Sequence, residues 1–197
     1  GIKPIIGCEI YVARRTRFDK TPQVDNRPYH LVLLAKNYKG YENLLEIVTK
    51  ANLEGFYYKP RADYGLLKAH SEGLIALSAC LQGHLPRAIL SENDEEVENM
   101  IKTHVEIFGK ENYFLEVQDH AYNEDQVVVN DALVKLSKKH GLNLVATNDS
   151  HYPRREDAEA HDVLLCIQTQ TNVADETRMR YTGDFSIRTY EDMKESF

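Results

Sequence analysis

Segments with the composition of β-strands alternate with segments of helical periodicity along this 197-residue sequence. The strand-like segments are apolar and rich in branched or aromatic residues, and they occupy 4–13, 30–35, 73–80, 113–117 and 142–147. The helical segments occupy 39–55, 86–90, 93–109, 123–141 and 157–167, and a short strand with an unfinished helix is predicted over 185–197. This alternation favours an α/β fold with a mainly parallel sheet, open or closed into a barrel.

Residues typical of helix ends support two of these helices. Asn93 precedes one apolar helical face, and Gly109 follows it. Asn123 and Gln126 have the spacing of a capping box at the start of the next helix, and Gly141 follows its last turn. These residues set the predicted boundaries of both helices.

The composition limits the classes of function. The net charge is −7, whereas a DNA-holding surface needs an excess of lysine and arginine, so this segment is not expected to be the main DNA-binding surface. An acidic chain does suit a site that collects divalent cations. The three cysteines show neither the C-x-x-C spacing of a zinc site nor the density of a disulfide scaffold, which predicts a cytoplasmic protein. No apolar run approaches the ~18 residues of a membrane span.

Residues that can bind metal ions follow three of the predicted strands. They are Cys80 at the end of the third strand, Asp119 and His120 after the fourth, and Asn148, Asp149 and His151 after the fifth. In α/β folds the carboxyl ends of the strands form one edge, where functional residues collect. Thiolate, imidazole and carboxylate groups together are ligands of zinc, manganese or iron. The sequence therefore predicts a metal site at this edge.

The sharpest of these motifs is Asp149-Ser150-His151. A D-x-H on an extended segment points both side chains in the same direction. A metal bound there with open positions can hold a phosphate oxygen and lower the pKa of bound water toward ~7. Asp149 and His151 are therefore the residues expected to take part in catalysis. The expected reaction is the hydrolysis of a phosphate ester.

Each candidate also has a purely structural interpretation. A D-x-H motif often arises by chance, and Cys80 has the character of a small buried core residue. Glu9 lies inside an apolar strand and needs a partner, which can be a metal, an arginine or a hydrogen-bond network. His30 can equally be a residue at the start of a strand that bonds the backbone. The remaining histidines are expected to be ordinary surface or boundary residues, namely His70, His104, His140 and His161.

Several blocks of the sequence resemble one protein family. They are GIKPIIGCEIYVA, HLVLLAKNYKGYENL, GLIALSACLQG, YFLEVQDH and LVATNDSHYPRREDAEAHDVLLCIQT. In this order and with similar spacing, they are similar to the PHP domain (polymerase and histidinol phosphatase) of the alpha subunits of bacterial DNA polymerase III. The resemblance covers nearly the whole chain, and several blocks are specific to the replicative polymerases rather than to free-standing PHP phosphatases.

The resemblance implies a fold and a ligand set. The fold is a distorted, TIM-like (βα)7 barrel whose mouth binds up to three metal ions. By motif, the family's ligands fall on Glu9, His30, Cys80, Asp149 and His151. His120 lies in a family block but is not a usual ligand, so it is expected only to line the pocket. The implied cofactors are divalent ions, which are Zn, Mn or Fe at this site and Mg at the separate polymerase site.

The chain departs from the family pattern at its start. The family's first four ligands belong to an H-x-H motif, a following Asp and a T-D-H motif, and no H-x-H occurs here. Residues 1–197 are therefore expected to form a PHP domain that lacks its first strands and first ligand motifs, with a tail from about 184 that begins the connection to the polymerase region. Such a chain alone is expected to bind metal weakly and to be inactive.

Three functions remain open. The resemblance implies a parent DNA-directed DNA polymerase (a nucleotidyltransferase) of bacterial replication, whose PHP domain is a metal-dependent 3′–5′ proofreading exonuclease. The retained ligands favour this function over a non-catalytic scaffold that stabilises the polymerase and docks a separate proofreading subunit. The polymerase-specific blocks argue against the third function, a free-standing phosphatase of a small phosphate ester. The implied partners are DNA and the other polymerase III subunits, including a proofreading exonuclease subunit.

Overall fold

A six-stranded mixed sheet forms the centre of the fold in the computed structural model, which describes residues 1–120 and 122–197. The strands are β1 (Gly7–Val12), β2 (Tyr29–Ala35), β3 (Arg61–Ala62), β4 (Leu74–Leu77), β5 (Tyr113–Gln118) and β6 (Asn143–Thr147). Their order across the sheet is β3-β1-β2-β4-β5-β6. The α/β class is confirmed. Because β3 and β6 are edges, the sheet is open over the described residues and does not close into a barrel.

Helices connect and cover these strands. Those in the described residues are α1 (Tyr38–Leu53), α2 (Tyr64–Ala69), α3 (His84–Leu90), α4 (Asp94–Phe108), α5 (Glu124–His140), α6 (Ala158–Thr169) and α7 (Tyr190–Ser196). Every predicted helix is present, whereas α2 and the two-residue β3 were not predicted. Over the described part of the chain, no helix is long and apolar enough to cross a membrane.

The predicted ends of α4 and α5 are largely confirmed. The Asn93 side chain accepts a hydrogen bond from the backbone N–H of Glu96 at 3.1 Å, and α4 ends before Gly109. Asn123 likewise caps α5. The predicted capping box is wrong, because the Gln126 side chain donates to Asn130 at 3.0 Å instead of to the backbone of the cap residue.

The sheet is mainly parallel, as predicted, and β2 is the exception among the described strands. β2 runs antiparallel to both of its neighbours, β1 and β4, whereas the other neighbouring strands are parallel. The segment 13–28 that joins β1 to β2 is irregular and contains no crossover helix of the kind that parallel neighbours need. As a result, β2 begins at the edge of the sheet where β1, β4, β5 and β6 end. This places His30, at the start of β2, opposite Tyr11 at the end of β1.

Close packing of helices on the sheet builds the core. Leu33 of β2, Ile47 of α1 and Leu115 of β5 are fully buried in it. The backbones of α1 and the turn before β4 also touch, since a Cβ added to Gly40 would lie 1.8 Å from the carbonyl oxygen of Gly73. Glycine at position 40 is therefore required for α1 to pack this closely.

A buried arginine organises the segment between β1 and β2. The Arg61 guanidinium is fully buried and donates to four backbone carbonyls at 2.8–3.0 Å. The acceptors are Gly55, Asp25, Arg17 and Asp19. One side chain thus ties the irregular segment to the end of α1.

Replacing Arg61 with Met should destabilise the fold by about 2–4 kcal/mol, because buried carbonyls would lose their donors. Denaturant unfolding followed by circular dichroism measures the effect. Arg154→Met is the control, since that side chain is 75% exposed and should change stability by less than ~0.5 kcal/mol. Equal stabilities of the two variants would show that the segment is held by other contacts.

Candidate metal centre

A cavity of about 500 Å³ opens at the edge of the sheet where β2 begins and the other long strands end. Its lining includes every site residue predicted from the sequence, which are Glu9, His30, Cys80, His120, Asp149 and His151. These residues come from β1, the start of β2 and the segments that follow β4, β5 and β6. The fold therefore brings residues that are distant in sequence into one cavity.

Three of these residues converge most closely. Nδ1 of His30 lies 2.9 Å from Oε1 of Glu9 and 3.7 Å from Sγ of Cys80. All three donor atoms lie within 4.8 Å of one another. Zinc, at about 2.0–2.3 Å from each ligand, would separate its donor atoms by roughly 3.3–3.8 Å. The 3.7 Å between His30 and Cys80 lies in this range and the 2.9 Å between His30 and Glu9 is shorter, so a small outward shift of Glu9 would let these oxygen, nitrogen and sulfur donors hold a divalent transition-metal ion.

The Cys80 thiol is in a setting that favours its neutral form in the absence of a cation. Burial, and secondly the nearby Asp149 carboxylate, raise the pKa of the Cys80 thiol to about 12. A metal ion reverses this preference, because a coordinated thiol loses its proton. At neutral pH, a Cys80 thiolate would therefore report directly on a bound cation.

Backbone strain accompanies two of the cavity-lining segments. Ala79, just before Cys80, has φ 64°, and Asp149 has φ 48°. The left-handed conformation costs non-glycine residues roughly 1–2 kcal/mol. Strain of this kind collects at functional sites, where the surrounding structure enforces it. It also shows that Asp149 is not extended, so the premise that a D-x-H here points both side chains alike is wrong.

Asp149 and His151 face the cavity but stand apart from the compact trio. Among the described residues, neither belongs to a group of three donors as close as Glu9, His30 and Cys80. Burial raises the pKa of Asp149, the charge of Glu9 adds to this, and His151 opposes it. His151 is oriented at both nitrogens, with Nδ1 2.6 Å from the Asp149 carbonyl and Nε2 3.1 Å from the Tyr181 hydroxyl. A backbone partner on one nitrogen is the usual arrangement of a metal-binding histidine.

His120 lines the cavity, as expected from the sequence. It is 5% exposed, stacks on Phe185 with ring centroids 4.5 Å apart, and has Nδ1 2.8 Å from the Tyr122 hydroxyl. Its Nε2 has no hydrogen-bond partner among the described residues. Burial, and then the charge of Arg188, lower the pKa of His120, which favours the neutral ring.

The far wall of the cavity was not predicted. Met179 to Thr182 and Phe185 fold back over it, because the His151 backbone N–H donates to the Phe185 carbonyl at 2.8 Å. Position 183 favours glycine because its φ is 113°, and a Cβ there would also lie 1.8 Å from the Tyr122 ring. Sequence periodicity gave no signal for this wall, which is irregular in structure.

Two residues that follow strands form contacts outside the cavity. Asp119 lies outside the cavity and binds Arg188 at 3.0 Å and Ser196 at 2.6 Å. Asn148 donates to the Ser186 carbonyl at 2.7 Å. The prediction that Asp119 and Asn148 belong to the metal site is therefore wrong, and both residues instead hold the C-terminal segment in place.

Comparison with known proteins shows which family and which relatives this chain is similar to. The PHP domain family matches residues 1–120. A protein named DNA polymerase III subunit alpha from Treponema pallidum is 46% identical over 199 residues, covering 100% of this chain and 17% of that protein. The protein of the same name from Thermus aquaticus is 46% identical and covers 98% of this chain and 16% of that protein. The chain thus spans about a sixth of the length of these relatives.

Proposed function

The chain belongs to the PHP domain family, and on that premise we propose that its cavity is a divalent-metal site that hydrolyses the terminal phosphodiester of a DNA strand. The observation that carries this proposal is the convergence of Glu9 Oε1, His30 Nδ1 and Cys80 Sγ within 4.8 Å. Asp149 and His151 line the same cavity and complete the proposed ligand set.

Different residues of the cavity would bind the ion and the substrate. Glu9, His30 and Cys80 would hold the ion, with Asp149 and His151 facing it across the cavity. A bound divalent ion supplies Lewis acidity and lowers the pKa of coordinated water. Mixed oxygen, nitrogen and sulfur donors accept Zn, Mn or Fe. Arg180, which also lines the cavity, would bind a phosphate oxygen through its guanidinium.

The aromatic wall favours a nucleotide over a small phosphate ester. Tyr122, Tyr181 and Phe185 line the cavity together with His120. Bases stack on aromatic side chains with about 1–3 kcal/mol each, whatever their sequence. A small aliphatic phosphate would leave this wall without a partner, so a free-standing phosphatase is the weaker alternative.

We place the chain in a larger bacterial replicative polymerase. Residues 1–197 would form part of the PHP domain of a DNA polymerase III alpha subunit, with the segment from about 184 leading toward the polymerase region. Polymerisation, with Mg²⁺, would occur in another part of that protein, and DNA and the other polymerase III subunits would be its partners. The cysteines Cys8, Cys80 and Cys166 are free, which fits a reducing cytoplasm.

Chelation should abolish hydrolysis by the full-length polypeptide that carries this chain. The assay follows release of nucleotides from a 3′-labelled single strand, before and after dialysis against a chelator, and again after Zn²⁺, Mn²⁺ or Fe²⁺ is added. We expect loss of at least ~100-fold on chelation and recovery with one of these ions, since the proposed hydrolysis would depend on the Lewis acidity of a bound ion. No hydrolysis with any ion, in protein that still polymerises, would favour the scaffold function instead.

A further inference from the structure

We propose that a second surface beside the cavity, formed by Arg14, Arg27 and Arg87 around Tyr29 and called here the arginine surface, binds the phosphate backbone of a single-stranded nucleic acid. The inference rests on the proposed function in one respect, namely that the end of the bound strand enters the cavity for hydrolysis. Binding itself requires no hydrolysis.

The tyrosine ring holds two of the guanidinium groups in place. Cζ of Arg14 lies 5.0 Å from the centroid of the Tyr29 ring, and Cζ of Arg87 lies 5.7 Å from it. The ring itself stacks on His84, with centroids 3.8 Å apart and planes within 5°. Cation–π contacts at these distances fix long side chains that are otherwise mobile. The surface is thereby organised before any ligand arrives.

The charges of this surface are not neutralised by the protein. Over residues 1–120 and 122–197, no carboxylate lies within 4.0 Å of Arg14, Arg27 or Arg87. By contrast, Arg178 binds both carboxylate oxygens of Asp162. A concentration of unpaired positive charge is unexpected in a chain whose net charge is −7.

Most hydrogen-bond donors of these arginines remain available. Nε of Arg14 donates to the Arg27 carbonyl at 2.9 Å, and one nitrogen of Arg87 donates to the Gln82 side chain. A guanidinium carries five N–H donors in a planar fork that matches a phosphate group. Partial burial, and then the charge of Arg14, lower the pKa of Arg87, so a bound anion would relieve the repulsion within the surface.

The arginine surface adjoins the cavity. Gln82, which accepts from Arg87, is itself a lining residue of the cavity. Tyr29 directly precedes His30, whose Nδ1 belongs to the trio of donors. A strand whose phosphates lie on the arginine surface would therefore reach the cavity with its end. This continuity favours a nucleic acid over an acidic protein segment, because a phosphodiester is what the cavity is proposed to take.

Photocrosslinking of a thiothymidine oligonucleotide of about 12 nucleotides to the full-length polypeptide tests the surface, since single-strand sites span roughly 4–16 nucleotides. The reaction is run in chelator, so that it does not depend on hydrolysis, and crosslinked peptides are identified by mass spectrometry. We expect crosslinks in peptides that contain residues 14–29 and 82–87. The Arg14→Gln/Arg87→Gln variant should lower their yield at least fivefold. Arg14→Lys/Arg87→Lys, which keeps the charge, should retain about half of it.

The control removes two exposed charges elsewhere, in Lys102→Gln/Arg154→Gln, and should leave the crosslinks unchanged. Where the protein hydrolyses DNA, the slope of log(kcat/KM) against log[salt] should fall by about 1.4 in Arg14→Gln/Arg87→Gln, since each single-strand phosphate contact contributes ~0.7.

Three outcomes would overturn the proposal. The first is crosslinks confined to other peptides. The second is an equal crosslink yield in Arg14→Gln/Arg87→Gln and in the control, when both variants melt like the parent. The third is competition by polyglutamate as strong as that by unlabelled oligonucleotide, which would assign the surface to an acidic protein partner. Crosslinks at the arginine surface in a protein without nuclease activity would support the surface and refute only the hydrolytic function.

Discussion

Asp149→Asn and His151→Ala should each lower the proposed 3′–5′ exonuclease activity of the full-length protein at least ~1,000-fold, while its proposed nucleotide incorporation changes less than about twofold. Loss of a group that positions a hydrolytic ion removes several kcal/mol of transition-state stabilisation, and ~4 kcal/mol corresponds to ~1,000-fold in rate. Polymerisation should be spared because it is proposed to use carboxylates outside this chain. The measurement compares both activities of each variant on the same labelled substrate.

Matched substitutions outside the cavity separate a chemical effect from a structural one. Asp131→Asn removes an exposed carboxylate on α5, and His140→Ala removes a histidine at the end of the same helix. Both should keep full exonuclease activity. Thermal melting of all four variants is needed because Asp149 and His151 also bond neighbouring groups. Well-folded Asp149→Asn and His151→Ala proteins with normal exonuclease activity would show that the site is vestigial, as the scaffold function requires.

His30→Ala should weaken metal binding by the full-length protein at least ~100-fold. His30 has the central position of the trio, since its Nδ1 is close to both Glu9 and Cys80. Loss of a residue that only supports a ligand costs ~10–100-fold in affinity, and loss of a ligand should cost more. Competition with a chromogenic chelator measures the affinity, and His70→Ala, which is outside the cavity lining and beside Lys50, is the control.

Retention of the ion by His30→Ala with unchanged affinity would contradict the assignment. It would place the ion on other residues of the cavity and leave the Glu9–His30 contact as an ordinary hydrogen-bonded pair. Glu9→Gln provides a second test, because it removes the charge of the carboxylate while keeping its size.

Apart from α2 and β3, the helices and strands of the described residues were predictable because local signals determine them. Asn93 and Gly109 delimit α4 through capping, which depends on neighbouring residues alone. The direction of β2 was not predictable, because periodicity reports which face of a strand is buried and not which way the strand runs. The open sheet likewise depends on long-range pairing that short segments do not encode.

The candidate site also contains residues that could be predicted from the sequence and residues that could not. Cys80 was predicted from its residue type and its position after a strand, Glu9 and His30 were predicted as ligands from the resemblance, and the structure brings the three together. Asp119 has the residue type and the position after a strand that are expected of a metal ligand. It binds Arg188 and Ser196 instead, and these contacts cannot be predicted from local sequence. The wall containing Tyr181 was missed because an irregular segment reaches the cavity only through tertiary contacts with His151.

The central claim, that this cavity holds a metal through Cys80, is tested most directly by the absorption spectrum of the full-length protein loaded with Co²⁺. A sulfur-to-cobalt charge-transfer band requires a coordinated thiolate, and burial, which raises the pKa of the Cys80 thiol to about 12, favours the protonated thiol when no ion is bound. We predict that the band is present in the parent protein, absent in Cys80→Ser and retained in Cys166→Ala, whose buried thiol lies on α6. Absence of the band from the parent protein, or its persistence in Cys80→Ser, would contradict the assignment of Cys80 as a ligand.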